Sequence, residues 1–262
     1  MFIYTLVLLL VIAALRQNVS CEANIQSQSF KIINGNEAAP HSLPYQAAIL
    51  GMDGKFLCGG SLISPRSILT AAHCLDRAGT SVQVVLGAHN ISNPGEEGQL
   101  KITSTQFVIH KDWNAKKALN DIALVILPKP IETTNTIKWV TLPTKKNAIY
   151  INKNGTVSGW GAYSDSDATN ISPVLREARI KIISNFFCNI AYMGKITSSH
   201  LCTDGLKKQT FCTGDSGGPL VVDGVQVGIV SFNFVFGCSS GWPGVYTRVT
   251  SFLDWISEHV YN

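Results

Sequence analysis

The chain has 262 residues, of which 15% are charged and 45% are apolar, and its formal net charge is +4. This composition excludes a disordered chain and is sufficient for one large domain or two lobes that share an interface. The lysines and arginines are scattered along the chain, so we do not expect a nucleic-acid partner.

The N-terminus resembles a targeting signal. Residues 2–15, FIYTLVLLLVIAAL, form an unbroken apolar stretch that is too short to span a bilayer comfortably. We therefore predict a signal peptide over residues 1–21 and a secreted, extracellular protein without stable membrane association. The alternative is a short signal anchor.

Short strands dominate the rest of the chain. The runs YQAAIL, VQVVLG, ITSTQFVI, IALVIL and VGIVSF are rich in branched residues and bounded by turn formers. VVDGVQV predicts a hairpin with Asp223 and Gly224 in its turn. Regularly spaced strands predict a sandwich or barrels, and TLPTKKNAIYINKNG is polar enough to connect two β lobes. The tail TSFLDWISEHV predicts a helix that Thr250 or Ser251 caps, with Leu253, Ile256 and Val260 at helical spacing.

The cysteines indicate disulfides rather than a zinc site, because none lies in a C-x-x-C pair. Cys21 is the odd one of seven and is expected to leave with the leader or the pro-segment. The other six can form three bridges in an oxidising compartment, and the sequence leaves their pairing open. Candidate glycosylation sites stand at Asn90, Asn154 and Asn170.

The stretch TGDSGGPL, residues 213–220, concentrates glycines around Ser216. It is either a tight turn or a nucleophile surrounded by backbone donors. A nucleophilic serine needs a base and a group that orients the base. Of the six histidines, His73 stands out in LTAAHC, beside Cys74.

The orienting acid is expected to be buried beside the base. Asp121 opens the apolar run IALVIL, where an unpaired carboxylate would be costly. Asp112 in the polar turn HKDWN is the competing candidate. The residues alone therefore favour Ser216, His73 and Asp121 without excluding this alternative.

LTAAHC, NDIAL and GDSGGP, in this order, resemble the chymotrypsin-type serine peptidases, from Ile32 to the C-terminal helix. The resemblance implies an all-β fold of two six-stranded antiparallel barrels, over about 32–140 and 141–248, with the active site between them. A C-terminal helix over about 250–261 completes the peptidase domain, residues 32–262.

The resemblance also implies residue roles. Ser216 is the nucleophile, His73 the base and Asp121 the orienting acid, while the N–H groups of Gly214 and Ser216 form the oxyanion hole. The implied bridges are Cys58 with Cys74, Cys188 with Cys202, and Cys212 with Cys238.

SFKIINGNEA resembles the family's activation site. It implies a pro-segment over residues 22–31 and cleavage after Lys31, which frees an amino group at Ile32. That cation is expected to pair with Asp215 and to order the oxyanion loop. Thr141 replaces the cysteine that tethers the propeptide in chymotrypsin, so the pro-segment is expected to leave.

The primary pocket departs from trypsin-like relatives. By its position, neutral Thr210 stands at the pocket base, which predicts large apolar or aromatic rather than basic substrate residues. Phe211 could shorten the pocket, while Gly244 is expected to keep a wall open. Ser231 completes the third wall, where Phe232 and Asn233 replace the usual Trp and Gly. These changes resemble insect and crustacean chymotrypsins and brachyurin-like enzymes.

No metal or cofactor is expected. Ala88 replaces the first acidic ligand of the trypsin calcium loop, and Glu96 and Glu97 are interpreted as a solvated turn.

The leading interpretation is a secreted, monomeric serine endopeptidase that is made as a zymogen and digests dietary protein. Its expected partners are protein or peptide substrates, a trypsin-like activating protease and protein inhibitors. The alternatives are a regulatory protease, a silent homologue that acts as a binding protein, and a structural β-protein with a coincidental turn. The stretch before Lys31 contains no accessory-domain pattern, which favours digestion.

Overall fold

The structure, a computed structural model, describes residues 35–162, 170–205, 210–233, 238 and 240–262. The predicted signal peptide and pro-segment, including Lys31, and the new terminus at Ile32 lie outside these residues. Within the described part, no helix has the length and apolar character needed to cross a membrane.

The first barrel is an antiparallel sheet of seven strands in the order β6-β5-β2-β3-β4-β8-β7. Its two edge strands, β6 and β7, are separated only by Thr105, so they form two halves of one bent strand and close the barrel. The strands are β2 (Gln46–Leu50), β3 (Phe56–Ser64), β4 (Ser67–Thr70), β5 (Val82–Leu86), β6 (Leu100–Ser104), β7 (Gln106–Ile109) and β8 (Ala123–Ile126).

The second barrel is a closed ring of six strands, because β9 pairs with both β10 and β12. Around the ring the order is β9-β10-β11-β14-β13-β12. These strands are β9 (Asn154–Gly159), β10 (Arg176–Ile183), β11 (His200–Thr203), β12 (Pro219–Val222), β13 (Val225–Phe232) and β14 (Gly244–Arg248). The predicted all-β fold of two antiparallel barrels is confirmed.

A short strand, β1 (Asn36–Glu37), differs from the predicted division. Its residues fall within the range assigned to the first barrel, but β1 pairs antiparallel with β10 of the second. The Arg176 guanidinium strengthens this attachment by donating to the Gly35 carbonyl at 3.2 Å. The described part of the chain therefore begins on the second barrel and then crosses to the first.

The five strand-like runs of the sequence all form strands, because their branched apolar side chains fill the barrel interiors. Ile49, Leu62 and Leu124 are fully buried in the first barrel. Val157 and Val227 are fully buried in the second. Each barrel thus has an apolar interior, and Val221 and Ile229 of the second barrel pack into the same cluster as the first-barrel core.

The predicted hairpin at VVDGVQV is confirmed. Val222 and Val225 pair as the last residues of β12 and the first of β13. Asp223 and Gly224 have φ angles of +49° and +80°, which is the left-handed pattern of a two-residue type I′ turn.

The helices are short. They are α1 (Ala72–Leu75), α2 (Asn185–Ala191) and α3 (Leu253–His259), and a 3-10 turn, Val249–Ser251, precedes α3. The predicted capping of α3 by Thr250 or Ser251 is wrong, because the 3-10 turn takes up both residues and Phe252 stands at the cap position without a side-chain hydrogen bond. The helical spacing is confirmed, since Ile256 is buried and Leu253 and Val260 pack against the first-barrel core.

Candidate active site

His73 and Asp121 come together through one pair of strands. His73 lies on α1 just after β4, and Asp121 lies just before β8. These strands pair with Thr70 opposite Ala123, which brings the two side chains to the same end of the sheet. His73 Nδ1 is 2.8 Å from Asp121 Oδ2, and the His73 backbone N–H donates to Oδ1 at 3.0 Å.

The Asp121 carboxylate is buried, with 2% of the residue exposed, and it accepts several hydrogen bonds. The Ser231 hydroxyl donates to Oδ2 at 2.5 Å, in addition to the two donors from His73. The Thr247 hydroxyl fixes the Asp121 backbone by donating to its carbonyl at 2.7 Å. This network requires a proton on His73 Nδ1, so Nε2 of the neutral ring is left as the acceptor.

The competing acid, Asp112, is exposed on its loop and donates its backbone N–H to His110 Nδ1. The structure thus places Asp121, rather than Asp112, beside His73.

Ser216 comes from the loop before β12 and is held by bonds to both barrels. The Ser216 carbonyl accepts from Gly59 N–H at 2.8 Å, and the next residue, Gly217, donates to Val230 of β13 at 2.8 Å. A Cβ at Gly217 would lie 2.2 Å from Thr70 Oγ1, and its φ is +77°, so glycine is required here. The loop is therefore clamped directly against β4, the strand that leads to His73.

Ser216 and His73 line the same cavity, which has a volume of about 390 Å³. No hydrogen bond joins their side chains in the described part of the molecule. Catalytic hydrogen bonds are often long without substrate and shorten in the complex, so this geometry is compatible with proton transfer.

The candidate oxyanion donors lie at the wall of this cavity. Gly214 has a φ of +95°, in the left-handed region, and its neighbour Asp215 donates to the Cys212 carbonyl at 2.9 Å. Among the described residues, no hydrogen bond uses the N–H groups of Gly214 or Ser216. The turn thus leaves two backbone donors beside the hydroxyl, the arrangement that stabilises a developing oxyanion.

Asp215 is completely buried behind this turn. Its Oδ1 accepts from Gly161 N–H and its Oδ2 from Cys212 N–H, both at 2.8 Å. Burial raises the pKa of this carboxyl from 3.8 to about 6, and the two backbone donors partly oppose that change. None of the described cationic groups pairs with it. A Cβ at Gly161 would lie 2.5 Å from the carboxyl carbon, which explains this glycine.

The predicted pocket residues divide into two groups. Phe211, Ser231, Phe232 and Asn233 line the cavity with Ser216, and the Asn233 amide donates to the Phe211 carbonyl at 3.1 Å. Thr210 is instead buried beneath them, and its hydroxyl has no hydrogen-bond partner within the described residues.

The expectation that Gly244 keeps a wall open is wrong. The Phe211 ring lies in the space that a side chain at Gly244 would occupy, with its Cε1 only 2.7 Å from an ideal Cβ. The ring also packs edge-on against Tyr246 at 5.1 Å between centroids. The small residue therefore makes room for Phe211 rather than for a ligand.

Three disulfides brace the site, and they are the pairs implied by the resemblance: Cys58–Cys74, Cys188–Cys202 and Cys212–Cys238. The first is adjacent to His73, and the last is adjacent to Phe211. Cys58, His73 and Cys74 also form a cluster of potential metal ligands. The sulfur atoms of Cys58 and Cys74 form a disulfide with each other, so neither is available as a thiolate ligand.

The interpretation of Glu96 as part of a solvated turn is wrong. Its carboxylate accepts from the backbone N–H groups of His89 and Asn90, both at 2.9 Å, and thereby ties its own loop together. Glu97 is exposed, as expected, and Ala88 is buried. Of the candidate glycosylation sites, Asn154 and Asn170 are exposed and Asn90 is partly buried.

Sequence reasoning did not identify the bond from Ser231 to Asp121 or the position of His200. Buried His200 donates from Nε2 to the Ala118 carbonyl at 3.1 Å and lies beside Phe232. Burial lowers the pKa of this imidazole. No local motif marks either residue, since each comes from the second barrel and contacts a loop of the first.

Comparison with known proteins identifies the family. The Trypsin family model matches residues 32–256. The chain is 47% identical to brachyurin from Leptuca pugilator over 228 residues, which is 86% of this chain and 96% of the relative. It is 40% identical to chymotrypsin from Phaedon cochleariae over 236 residues, or 88% of this chain and 83% of the relative.

A solved structure supports the same assignment. The structure of neuropsin, described as a serine protease expressed in the limbic system of mouse brain, matches with a TM-score of 0.78 and 33% identity. The match covers 86% of this chain and 97% of that chain. The chain therefore belongs to the trypsin family and is a chymotrypsin-type serine endopeptidase that acts on protein substrates.

Proposed function

We propose that this protein is a secreted endopeptidase, made as a zymogen, that uses Ser216, His73 and Asp121 to digest dietary protein. The observation that carries the proposal is the pairing of partly exposed His73 with buried Asp121, which leaves Nε2 of His73 as an acceptor in the cavity that Ser216 also lines. The apolar N-terminal stretch and the three disulfides support secretion.

The chemical steps follow from the geometry. His73 Nε2 takes the Ser216 proton as the serine oxygen attacks the substrate carbonyl, and Asp121 stabilises the imidazolium that forms. The N–H groups of Gly214 and Ser216 hold the oxyanion, a contribution of about 3 kcal/mol per donor. The imidazolium then gives its proton to the leaving amine, and water repeats the sequence on the acyl-enzyme.

Activation is proposed to depend on the buried charge of Asp215. Cleavage after Lys31 supplies an ammonium group at Ile32, and pairing that cation with Asp215 removes the cost of an isolated carboxylate in the interior. The same carboxylate holds the N–H of Cys212, so the pair also orders the turn that presents the oxyanion donors. This is a local electrostatic switch.

The preferred residue before the scissile bond is proposed to be neutral, apolar and of about the size of leucine. Buried Thr210 carries no charge for a basic side chain, and the Phe211 ring occupies the space beside Gly244. The pocket is thereby shortened. Because such an enzyme should not cut efficiently after Lys31, activation requires a trypsin-like protease.

The test is to express the chain in secretory cells, sequence the N-terminus of the protein in the medium and treat it with trypsin. We expect no peptidase activity before treatment and activity that an organofluorophosphate abolishes afterwards. Ser216→Ala should be inactive, whereas Ser67→Ala, a buried serine distant from the cavity, should remain active. Activity in the Ser216→Ala protein, or in a protein with an acetylated Ile32 amine, would refute the mechanism.

A silent binding homologue or a regulatory protease would give different results. The first would show no activity after cleavage, and the second would leave mixed dietary proteins largely intact while cutting a few sites.

A further inference from the structure

A second cavity of about 730 Å³ adjoins the catalytic cleft, and we call it the lysine groove. It shares Phe232 and Asn233 with the cleft, so the two cavities form one continuous surface. The rim of the groove carries Lys116, Lys117 and Lys195.

The lysine groove is cationic. Its three lysines are exposed, its lining contains no acidic residue, and none of the three ammonium groups forms an ion pair with a described residue. The loop residues Lys116 and Lys117 belong to the first barrel, while Lys195 follows α2 of the second. Charges from both barrels therefore converge on one channel, which is favourable for a segment with negative charge.

The floor of the lysine groove is apolar. Tyr192 and Phe232 pack edge-on with ring centroids 5.6 Å apart, and Leu119 and Met193 add further apolar side chains to the lining. Met193 is 82% exposed, so it is available for contact with a ligand. The occupant that fits this surface is a polypeptide segment that combines acidic side chains with an apolar one.

The walls of the lysine groove are fixed before any ligand binds. The His200 ring holds the lysine loop by donating to the Ala118 carbonyl, and the Tyr192 hydroxyl donates to the Pro243 carbonyl at 2.6 Å. The Cys188–Cys202 disulfide braces α2 against β11. A preformed groove loses little conformational entropy on binding.

The position of the lysine groove indicates which part of a substrate it receives. Phe211, Phe232 and Asn233 surround the site for the residue whose carbonyl is attacked, and the groove continues from the last two of these. The opposite end of the cleft is formed by Leu57 and the Cys58–Cys74 disulfide. The groove thus lies along the residues that precede the scissile bond.

We propose that the lysine groove binds acidic side chains of protein substrates, two or more residues before the scissile bond. The assignment of the groove to residues before the scissile bond rests on the proposed function, whereas binding of an acidic segment does not require catalysis. The enzyme is therefore expected to cleave faster where acidic side chains precede the apolar residue at the scissile bond.

Binding is measured with the trypsin-cleaved Ser216→Ala protein, so that catalysis does not interfere. The probes are the fluorescein-labelled peptide Glu-Asp-Ala-Leu-Ser-Ala and its neutral twin Gln-Asn-Ala-Leu-Ser-Ala. Exposed ion pairs are individually weak, so we expect the acidic peptide to bind about tenfold more tightly at low salt. This ratio should fall toward one as the salt concentration rises.

The groove variant replaces Lys116, Lys117 and Lys195 with Gln in the Ser216→Ala protein. Its matched control carries Lys129→Gln, Lys138→Gln and Lys153→Gln, which remove the same net charge from exposed lysines outside both cavities. We expect the groove variant to lose the preference for the acidic peptide and the control to keep it.

Equal binding of the two peptides to the Ser216→Ala protein would overturn the inference. Equal loss of the preference in both triple variants would also overturn it, because net charge rather than the groove would then be responsible. Cleavage by the protein with Ser216 intact is measured in parallel. Its absence together with lysine-dependent binding would refute the proposed function and leave the groove assignment standing.

Discussion

Two buried aspartates of this protein have opposite surroundings. Asp121 accepts hydrogen bonds from His73 and Ser231, including one from an imidazole that can carry the opposite charge. Within the described part of the chain, the hydrogen bonds that Asp215 accepts come from two backbone N–H groups, and burial raises its pKa to about 6. The neighbours of Asp121 include a group that can balance its charge, whereas no described cationic group pairs with Asp215.

The difference separates the Asp121 network, which does not depend on cleavage, from the Asp215 turn, which is expected to depend on it. The Asp121 network uses no group that cleavage would free, because His73 lies on α1, Ser231 on β13 and Thr247 on β14. The turn from Cys212 to Ser216 depends on a carboxylate that is costly to ionise alone. Regulation is therefore expected at Asp215, while Asp121 is expected to serve the chemical step directly.

The largest effect is expected from Asp121→Asn. The amide cannot hold the Nδ1–H tautomer of His73, so kcat should fall about 10⁴-fold, or about 5.5 kcal/mol, as expected for a wrong tautomer in a Ser-His-Asp site. Asp112→Asn on the exposed neighbouring loop is the control and should retain full activity. Steady-state kinetics of both trypsin-cleaved proteins provide the measurement, and a similar loss in the two variants would contradict the assignment.

The second effect is expected in the pH dependence of the stability of the uncleaved protein. Since the folded pKa of Asp215 exceeds its unfolded value, the folded state binds its proton more tightly, and stability is lost as pH rises from about 4 to 6. A change of pKa from 3.8 to about 6 corresponds to about 3 kcal/mol.

Denaturant titrations of the uncleaved protein and of Asp215→Asn at pH 4 to 7 measure this contribution. The free energy of unfolding of the variant should not show the decline of about 3 kcal/mol with rising pH. Cleavage after Lys31 should abolish this decline in the wild-type protein. Parallel pH profiles for the two uncleaved proteins would show that Asp215 does not titrate in this range.

A third effect is expected at Phe211, beside the Asp215 turn. Removing the ring in Phe211→Ala should free the space beside Gly244, and the ratio of cleavage after phenylalanine to cleavage after leucine should rise about 30-fold, or about 2 kcal/mol. Phe187→Ala, which removes an exposed ring on α2, is the control. Competition between paired peptides gives the ratio, and an unchanged preference would mean that another residue limits the pocket.

The smallest effect is expected for Ser231→Ala, which removes one donor from Asp121. Because the bond is made to a charged acceptor, we expect a loss of about 1.5 kcal/mol, or about tenfold, in kcat/KM. Ser67→Ala, whose hydroxyl contacts Tyr261 far from the cavity, is the matched control. Equal kcat/KM for Ser231→Ala and the wild-type protein would show that the two His73 donors suffice.

The sequence by itself predicted five strand-forming runs, the hairpin at Asp223, and Ser216 and His73 with Asp121 or Asp112 as catalytic candidates. Strand formation depends on short runs of branched side chains, and the motifs around His73, Asp121 and Ser216 are contiguous. Periodicity also identified the buried face of α3. The cap of that helix was missed because a 3-10 turn and its packing, rather than the local propensity of Thr250, determine where the helix begins.

The tertiary structure decided several contacts that the residues alone left open or did not indicate. Strand pairing places Asp121 rather than Asp112 beside His73 and adds Ser231 from the other barrel. The Phe211 ring occupies the space beside Gly244 that was expected to be open. The packing of the two barrels also brings lysines from both into one groove. These outcomes depend on contacts between residues far apart in sequence, and no local pattern of side chains encodes such contacts.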